Sequence, residues 1–410
     1  MAELVIFTTS YPYGEGETFL ETEIKFLNQK FSTIHIFPLT VGKGDKVRMV
    51  PDGVTYSKPF FRFDINQEKM RTVLDGIFNI APVSFVFKEF LQKKVYKSKR
   101  KLKNLLETTC AVRKILAPHN WKEILAKIDK ITIIYFYWGD KATGIIPFIS
   151  KNYSNVTVAR FHNSDLYEDL KGGYIPFREE LLKNLEYSVF ISEKGKAYLT
   201  KKYHNLNFKT KLFRLGVPDL QMTSRSEDDV LRIISCSYVV PVKRLDLIVK
   251  ALTHVKCKVK WTHLGGGKLL PSIKDMIKSL PPNVNVSLLG QVSNIDVINY
   301  YQHNSVDLFV NVSASEGIPV SIMEAISSGI PIIATNVGGT SEIVDNSFGT
   351  LLHKDFEESQ LATLFDDYYL KNEDQKMIMR RSAKEFWFKH FNSELNYKNY
   401  TAFLKGLTND

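Results

Sequence analysis

Two carboxylates, Glu316 and Glu324, bracket a stretch whose residue types suit an anionic ligand. It runs Asn311-Val312-Ser313-Ala314-Ser315-Glu316-Gly317-Ile318-Pro319-Val320-Ser321-Ile322-Met323-Glu324-Ala325. A strand is expected to end near Val312, and a short loop follows. Pro319 suits the first turn of a helix, where its missing N–H costs nothing. Gly329 stands where that helix should stop, with Pro331 after it. Amides at a helix start lack partners within the helix and carry partial positive charge, so they attract anions. Gly317 lets a ligand approach the backbone closely. Glu316 precedes those donors and Glu324 lies about two turns into the helix, so the two can meet one extended ligand at different depths. Read on spacing alone, the pair also fits two solvated acids.

A second cluster is Ser235-Cys236-Ser237-Tyr238-Val239-Val240-Pro241-Val242-Lys243-Arg244, again between a strand and a helix. An anionic group that gains charge in a reaction needs fixed cations, and Lys243 and Arg244 stand in the right kind of loop. Cations at a helix start oppose its dipole, so their placement there calls for another reason. A third cluster, Arg160-Phe161-His162-Asn163-Ser164-Asp165-Leu166-Tyr167-Glu168, also follows a strand and makes His162 a candidate catalytic group. Gly14 and Gly16, in Tyr11-Pro12-Tyr13-Gly14-Glu15-Gly16-Glu17, form either a ligand loop or a plain turn. Gly265-Gly266-Gly267 lacks the third glycine of a dinucleotide fingerprint, since Leu270 stands there, which counts against NAD. Asp-x-Asp occurs nowhere, so fixed protein charges rather than a metal are expected to serve catalysis.

The elements that must position these groups alternate. In the C-terminal half, strands are expected at 231–237, 258–264, 284–289, 307–312 and 331–335. Helices are expected at 245–254, 269–279, 294–303 and 319–328. The N-terminal half repeats this less regularly, with strands at 3–8, 33–38, 131–137, 156–161 and 188–191 and helices at 17–29 and 194–203. Such alternation predicts parallel sheets covered on both faces, with ligands beyond the carboxyl ends of the strands. Gly216-Val217-Pro218-Asp219 through the polar stretch 223–229 reads as a linker. The expected organisation is α/β: an N-terminal Rossmann-like domain over 1–217 with a helical insertion at about 60–120, a C-terminal domain over 218–385, and C-terminal helices over 386–410 that cross back.

Composition narrows the class. The chain of 410 residues is long enough for two domains, and its 44% hydrophobic and 24% charged residues are ordinary for a globular protein. No apolar run approaches the length needed to span a bilayer. The N-terminus lacks a basic lead and a cleavage site, so no signal peptide is expected. Cys110, Cys236 and Cys257 are odd in number and scattered, which suggests neither disulfides nor zinc and fits a reducing cytosol. The net charge of +11 favours an anionic partner. Lysines and Arg100 cluster over Lys88–Lys103 beside the aromatics Phe85, Phe87 and Phe90. Two readings stay open for this segment: a helical insertion with a solvated face, or a surface that docks on anionic lipid. Nucleic acid is not expected, since no fold for binding it is recognisable.

Taken together, these stretches resemble glycosyltransferase family 4. The resemblance rests on Ser315 to Ala325, on Gly-Ile-Pro-Ile-Ile-Ala-Thr at 329–335, on Val337-Gly338-Gly339 and on Glu342-Ile343-Val344. It implies the GT-B fold, two Rossmann-like domains facing a central cleft, and a retaining transferase that uses a nucleotide-diphosphate sugar and needs no metal or other cofactor. By the same resemblance Glu316 contacts the donor sugar and Glu324 holds the ribose hydroxyls. Amides of Gly317, Ile318 and Val320 meet sugar and diphosphate, and Gly338-Gly339 leaves room for the donor. His162 points at the sugar end, and the loop with Gly14 and Gly16 lies near diphosphate and acceptor. Two positions depart from the pattern: Asn163 replaces a glycine, and Tyr238 stands where an arginine usually precedes the lysine by five residues. A lineage of bacterial surface-polysaccharide transferases carries a similar Pro-Val-Lys-Arg. The acceptor is then expected to be a glycan or lipid-linked glycan, at the cytoplasmic face of a membrane. The rivals are a GT-B sugar phosphorylase, which would carry a pyridoxal lysine not found here, and a non-catalytic subunit binding nucleotide sugar or lipid.

Overall fold

The computed structural model describes residues 3–62, 83–128, 132–150, 155–225 and 228–408. It divides into two compact units, residues 1–214 with 397–410, and residues 215–396.

In the N-terminal unit the strands are β1 (Glu3–Thr8), β2 (Thr33–Pro38), β3 (Thr40–Val41), β4 (Val54–Tyr56), β5 (Phe61–Arg62), β6 (Thr132–Phe136), β7 (Val156–Phe161), β8 (Tyr187–Phe190) and β9 (Thr210–Leu212). Seven of them form one parallel sheet in the order β4-β2-β1-β6-β7-β8-β9, while β3 and β5 pair separately. All five residues of β6 are buried, as a central strand covered on both faces requires. Ile6 pairs with Ile36 on one side and Tyr135 on the other. The chain steps from β1 to β2 on one side, and β6 lies on the other. The carboxyl ends of β1 and β6 therefore flank the switch point of this sheet, the place where open α/β sheets leave a crevice.

The C-terminal unit repeats the plan with β10 (Val230–Cys236), β11 (Lys258–Leu264), β12 (Val284–Leu288), β13 (Leu308–Asn311), β14 (Ile332–Thr335) and β15 (Gly349–Leu352). Its parallel order is β12-β11-β10-β13-β14-β15, which puts the switch point between β10 and β13. Trp261, Ile248, Leu252, Phe365 and Leu361 meet in the core on one face. Burying each such side chain contributes about 1.5–3 kcal/mol. The expected strands and helices of this unit are present with ends moved by a few residues. The strand β15 shows no signal in the sequence, because Gly349-Thr350-Leu351-Leu352 is too short to show a period.

The C-terminal segment behaves differently from the expectation that everything from 386 crosses back. Trp387 is fully buried in the helix Glu373–His390, and Phe386 packs on Phe348 at 5.3 Å, both within the C-terminal unit. The return begins within the next helix, Ser393–Gly406. There Tyr400 lies 5.7 Å from Tyr135 and 5.2 Å from Phe213, and the Arg160 guanidinium sits 4.6 Å over its ring. Arg160 is itself fully buried and ion-paired with the equally buried Glu23.

Over 60–120 the expected helical character holds for Val83–Gln92, Lys99–Ile115 and Pro118–Leu125, whereas Phe61–Arg62 is a strand. Residues 63–82 of the expected insertion lie outside the described residues. Glu89 is buried and accepts hydrogen bonds from the Tyr174 hydroxyl and the Phe177 amide, both at 3.0 Å, which pins this layer to the sheet domain. No helix among the described residues is long and apolar enough to cross a membrane.

Candidate functional site

In the C-terminal unit the loops after β10 and β13 meet at the switch point. They line a pocket of about 360 Å³ with Cys236, Tyr238, Lys243, Glu316, Ile318 and Val320. The Lys243 ammonium donates to Glu316 Oε1 at 2.6 Å, and Asn311 Nδ2 donates to the same oxygen at 3.3 Å. Glu316 is 10% exposed and Lys243 21%, so the pair is shielded yet reachable from the pocket. The helix Val320–Ser327 begins beside it with Pro319 as its cap residue. Its first amides have no partner inside the helix and so remain available to an anion.

Glu324 lies behind the pocket, on the buried side of that helix. Burial pushes its carboxyl up to about 7, against a hydrogen bond that stabilises the anion. That bond comes from Asn294 Nδ2 at 2.6 Å, and Asn294 itself lines the pocket. Asn294 was passed over in the sequence. It opens the helix Asn294–His303 directly after the capping residue Ser293, and no local pattern ties it to Glu324.

Arg244 is not brought to the pocket. Its backbone has φ 50°, and its side chain turns to carbonyl groups: Nε to Val312 at 2.8 Å, Nη1 to Lys354 at 2.8 Å and Nη2 to Ser313 at 3.4 Å. The expectation of a second diphosphate cation at Arg244 is therefore corrected. Three carbonyls hold the guanidinium in place, and it braces the loop after β13. Tyr238 is 64% exposed and leaves Lys243 as the only cation lining the pocket among the described residues.

Gly338 and Gly339 serve close packing. Gly338 has φ 54°, and a Cβ there would stand 1.8 Å from the Glu316 carbonyl oxygen. The Gly339 amide donates to the Gly317 carbonyl at 2.7 Å. Only glycine allows this loop to lie against Glu316-Gly317 and fix its path.

His162 sits in the N-terminal unit beyond β7. It is buried, and its ring lies 4.4 Å from that of Trp138 and 4.8 Å from that of Tyr137. Nε2 contacts the Tyr137 carbonyl at 2.9 Å; a carbonyl only accepts, so the proton is on Nε2. Burial, with Arg160 nearby, lowers its pKa to about 3, and the ring is neutral near pH 7. Asp165 holds the strand end by accepting from the amides of Gly139, His162 and Asn163 at 2.8, 2.9 and 3.0 Å. Gly14 has φ 66°, and its amide donates to the Lys46 carbonyl at 3.0 Å. Gly16 precedes Glu17, which accepts four hydrogen bonds and was not singled out in the sequence.

The three cysteines are free thiols. Among the described residues no group of three or more His, Cys, Asp or Glu side chains is arranged to hold a metal ion.

Comparison with known proteins fits this geometry. Residues 220–386 match the family model described as glycosyl transferases group 1. The O-antigen biosynthesis glycosyltransferase WbnH of Escherichia coli is 35% identical over 128 residues, 31% of this chain and 35% of that protein, so the match spans about a third of the relative's length. The GtfA subunit of the UDP-N-acetylglucosamine–peptide N-acetylglucosaminyltransferase of Streptococcus agalactiae is 24% identical over 66% of this chain and 56% of its own. Among solved structures, the lipopolysaccharide outer core galactosyltransferase WaaB superposes with a TM-score of 0.67 at 14% identity, covering 98% of this chain and 99% of its own. Anabaena Alr3699/HepE, solved with UDP and glucose, gives 0.63 at 15% identity over 99% and 100%. The chain thus has the GT-B fold, and its residues 220–386 match the glycosyl transferases group 1 family.

Proposed function

We propose that the protein is a retaining glycosyltransferase that moves a hexose from a nucleotide-diphosphate sugar to a glycan or lipid-linked acceptor, in cell-surface polysaccharide synthesis. The observation that carries this is the shielded Lys243–Glu316 pair beside a helix start. A donor entering the pocket would take Lys243 and the amides of Gly317, Ile318 and Val320 onto its diphosphate, which frees Glu316 for a sugar hydroxyl. Glu324 would accept from the ribose. When the anomeric carbon–oxygen bond breaks, the electron pair leaves on the diphosphate. Lys243, once parted from Glu316, and the amides at the helix start would stabilise the charge on that oxygen in place of a metal. The acceptor oxygen arrives on the face the leaving group departs from, and configuration is kept. The names of the relatives, an O-antigen transferase and a structure holding UDP and glucose, support the substrate class.

The test is calorimetry against nucleoside diphosphates and their sugars, then turnover with the sugar that binds and NMR of the product's anomeric carbon. Binding without any transfer to glycan or lipid-linked acceptors would favour the second reading, a nucleotide-sugar-binding subunit. Tyr238, exposed where the family places a cation, is what supports that reading.

The site of action we assign to the anionic inner face of a membrane. Between Val83 and Leu106 the one acid is the buried Glu89, against seven lysines and Arg100. Phe87, Leu91, Tyr96, Leu102 and Leu106 are exposed among them. Arg100 and Lys101 are engaged within the chain, with the Leu170 carbonyl and the Tyr174 ring. The docking cations are then Lys88, Lys94, Lys97 and Lys99, each worth about 1 kcal/mol at an anionic surface. Replacing these four by glutamine should release the protein from anionic vesicles and leave donor binding unchanged. Wild-type protein that ignores such vesicles at low salt would remove the assignment.

A further inference from the structure

The loop after β1 closes on a carboxylate of its own chain. Glu17 Oε1 accepts from the Thr9 amide at 2.8 Å and from the Trp138 indole Nε1–H at 2.7 Å. Its Oε2 accepts from the amides of Ser10 at 2.8 Å and Tyr11 at 2.7 Å. Three successive amides and an indole thus converge on one side chain at the switch point between β1 and β6. Glu17 also holds a left-handed backbone, φ 55° and ψ 41°, directly before the helix Thr18–Leu27. A non-glycine residue keeps that conformation only where its surroundings enforce it, and such residues gather at functional sites.

Trp138 follows β6 and carries the consequence onward. With its N–H held by Glu17, its ring lies 4.4 Å from the His162 ring. The neighbouring Gly139 amide is held by Asp165, which also holds the amides of His162 and Asn163. His162 donates to the carbonyl of Tyr137. The histidine is therefore set by two anchors: Asp165 fixes its backbone, and Glu17, through the indole N–H, fixes the ring that its imidazole packs against.

We infer that Glu17 is a positioning residue for sugar transfer, acting through Trp138 on His162. The inference rests on the reading that His162 faces the transferred sugar. It explains why a charged side chain fills the amide cradle of a loop whose glycines suggest an open ligand site. The cradle is spent on alignment, so the Thr9–Tyr11 amides are not available to a phosphate.

The experiment is a set of variants assayed for kcat, for acceptor and donor KM, and for nucleoside diphosphate affinity by calorimetry. Glu17→Gln and Trp138→Phe should each lower kcat about tenfold or more, the scale expected when a reacting group is misplaced by a fraction of an ångström. Diphosphate affinity should stay within about twofold of wild type, as for sites that share no partner. Trp138→Phe removes the indole N–H that Glu17 accepts, together with the five-membered ring, so the double variant should be no slower than the slower of the two single variants. Multiplying effects, or kcat unchanged in either single variant, would overturn the inference. Should Glu17→Gln fail to fold, Trp138→Phe in a His162→Ala background decides instead: it should add no further loss, and an added tenfold loss would overturn the proposal. Full activity in His162→Ala alone would remove the underlying reading of His162, a result distinct from either of these.

Discussion

The two switch points of this molecule are built in opposite ways. In the C-terminal unit, Lys243 and Glu316 each stand on the loop that leaves a strand, and the helix that supplies amides follows Glu316 by four residues. Nine of the fifteen residues that line the pocket belong to two short contiguous stretches, 236–243 and 316–321. In the N-terminal unit, the groups around His162 come from residues 9–17, 137–139 and 162–165, three segments far apart in the chain. The first site presents an ion pair that a charged ligand can part. The second presents a neutral ring that donates to the Tyr137 carbonyl and packs on Trp138, whose indole is held by Glu17. On the proposed function, a diphosphate would part the ion pair of the first site, and the second would hold its histidine in a fixed place.

The sharpest way to break this contrast is Lys243→Ala. It removes the one cation lining the pocket among the described residues, and should weaken nucleoside diphosphate binding by about 2 kcal/mol, roughly thirtyfold. Arg244→Ala should behave differently. Three carbonyl partners are lost, so thermal stability falls by about 2 kcal/mol while diphosphate affinity changes little in the protein that remains folded. Equal losses of affinity in both variants would mean that Arg244 turns to the ligand. Next in size, Glu316→Gln and Glu324→Gln should each lower turnover about tenfold or more with melting intact, about what one lost transition-state hydrogen bond costs. Wild-type rates in both would remove the carboxylates from the site.

A pH series sharpens the comparison further. Burial raises Glu324 from 4.5 to about 7. The folded protein then binds the proton more tightly than the unfolded chain. Its stabilising contribution is complete below pH 4.5 and is lost as pH rises through about 7. A ribose hydroxyl donates best to the ionised form, so affinity for a nucleotide-diphosphate sugar should fall as pH drops from 8 to 6, and Glu324→Gln should flatten the profile. His162, lowered to about 3, should contribute no inflection in that range. A flat wild-type profile would detach Glu324 from the ribose. The smallest expected effect is that of a chelator: activity should persist in excess of it, and loss restored by magnesium or manganese would contradict a diphosphate held by protein charge alone.

How much of this was legible beforehand follows the same division. Strand, loop, Pro319 and Gly329 announce the helix at 320–327 from local chemistry, and Lys243 is marked by a cation where a helix dipole disfavours one. Arg244 reads identically to Lys243 in the chain. Only the left-handed backbone at that position turns the two side chains to different partners. Asn294 could not be found, because its tie to Glu324 spans 30 residues and two helices. The Gly338-Gly339 pair was visible, but its reason, a loop lying against the Glu316 carbonyl, was not.

The sequence by itself determined the α/β alternation, the strands that carry the site and the residue types able to hold a diphosphate. Those depend on period, caps and turn chemistry, which act within a few residues. Tertiary structure alone decided which charges pair, which carboxylate is buried enough to rise to about 7, and that Glu17 fills the amide cradle beside Trp138. Ion pairing, desolvation and long-range hydrogen bonds depend on distance in space, and the order of residues along a chain does not encode that distance locally.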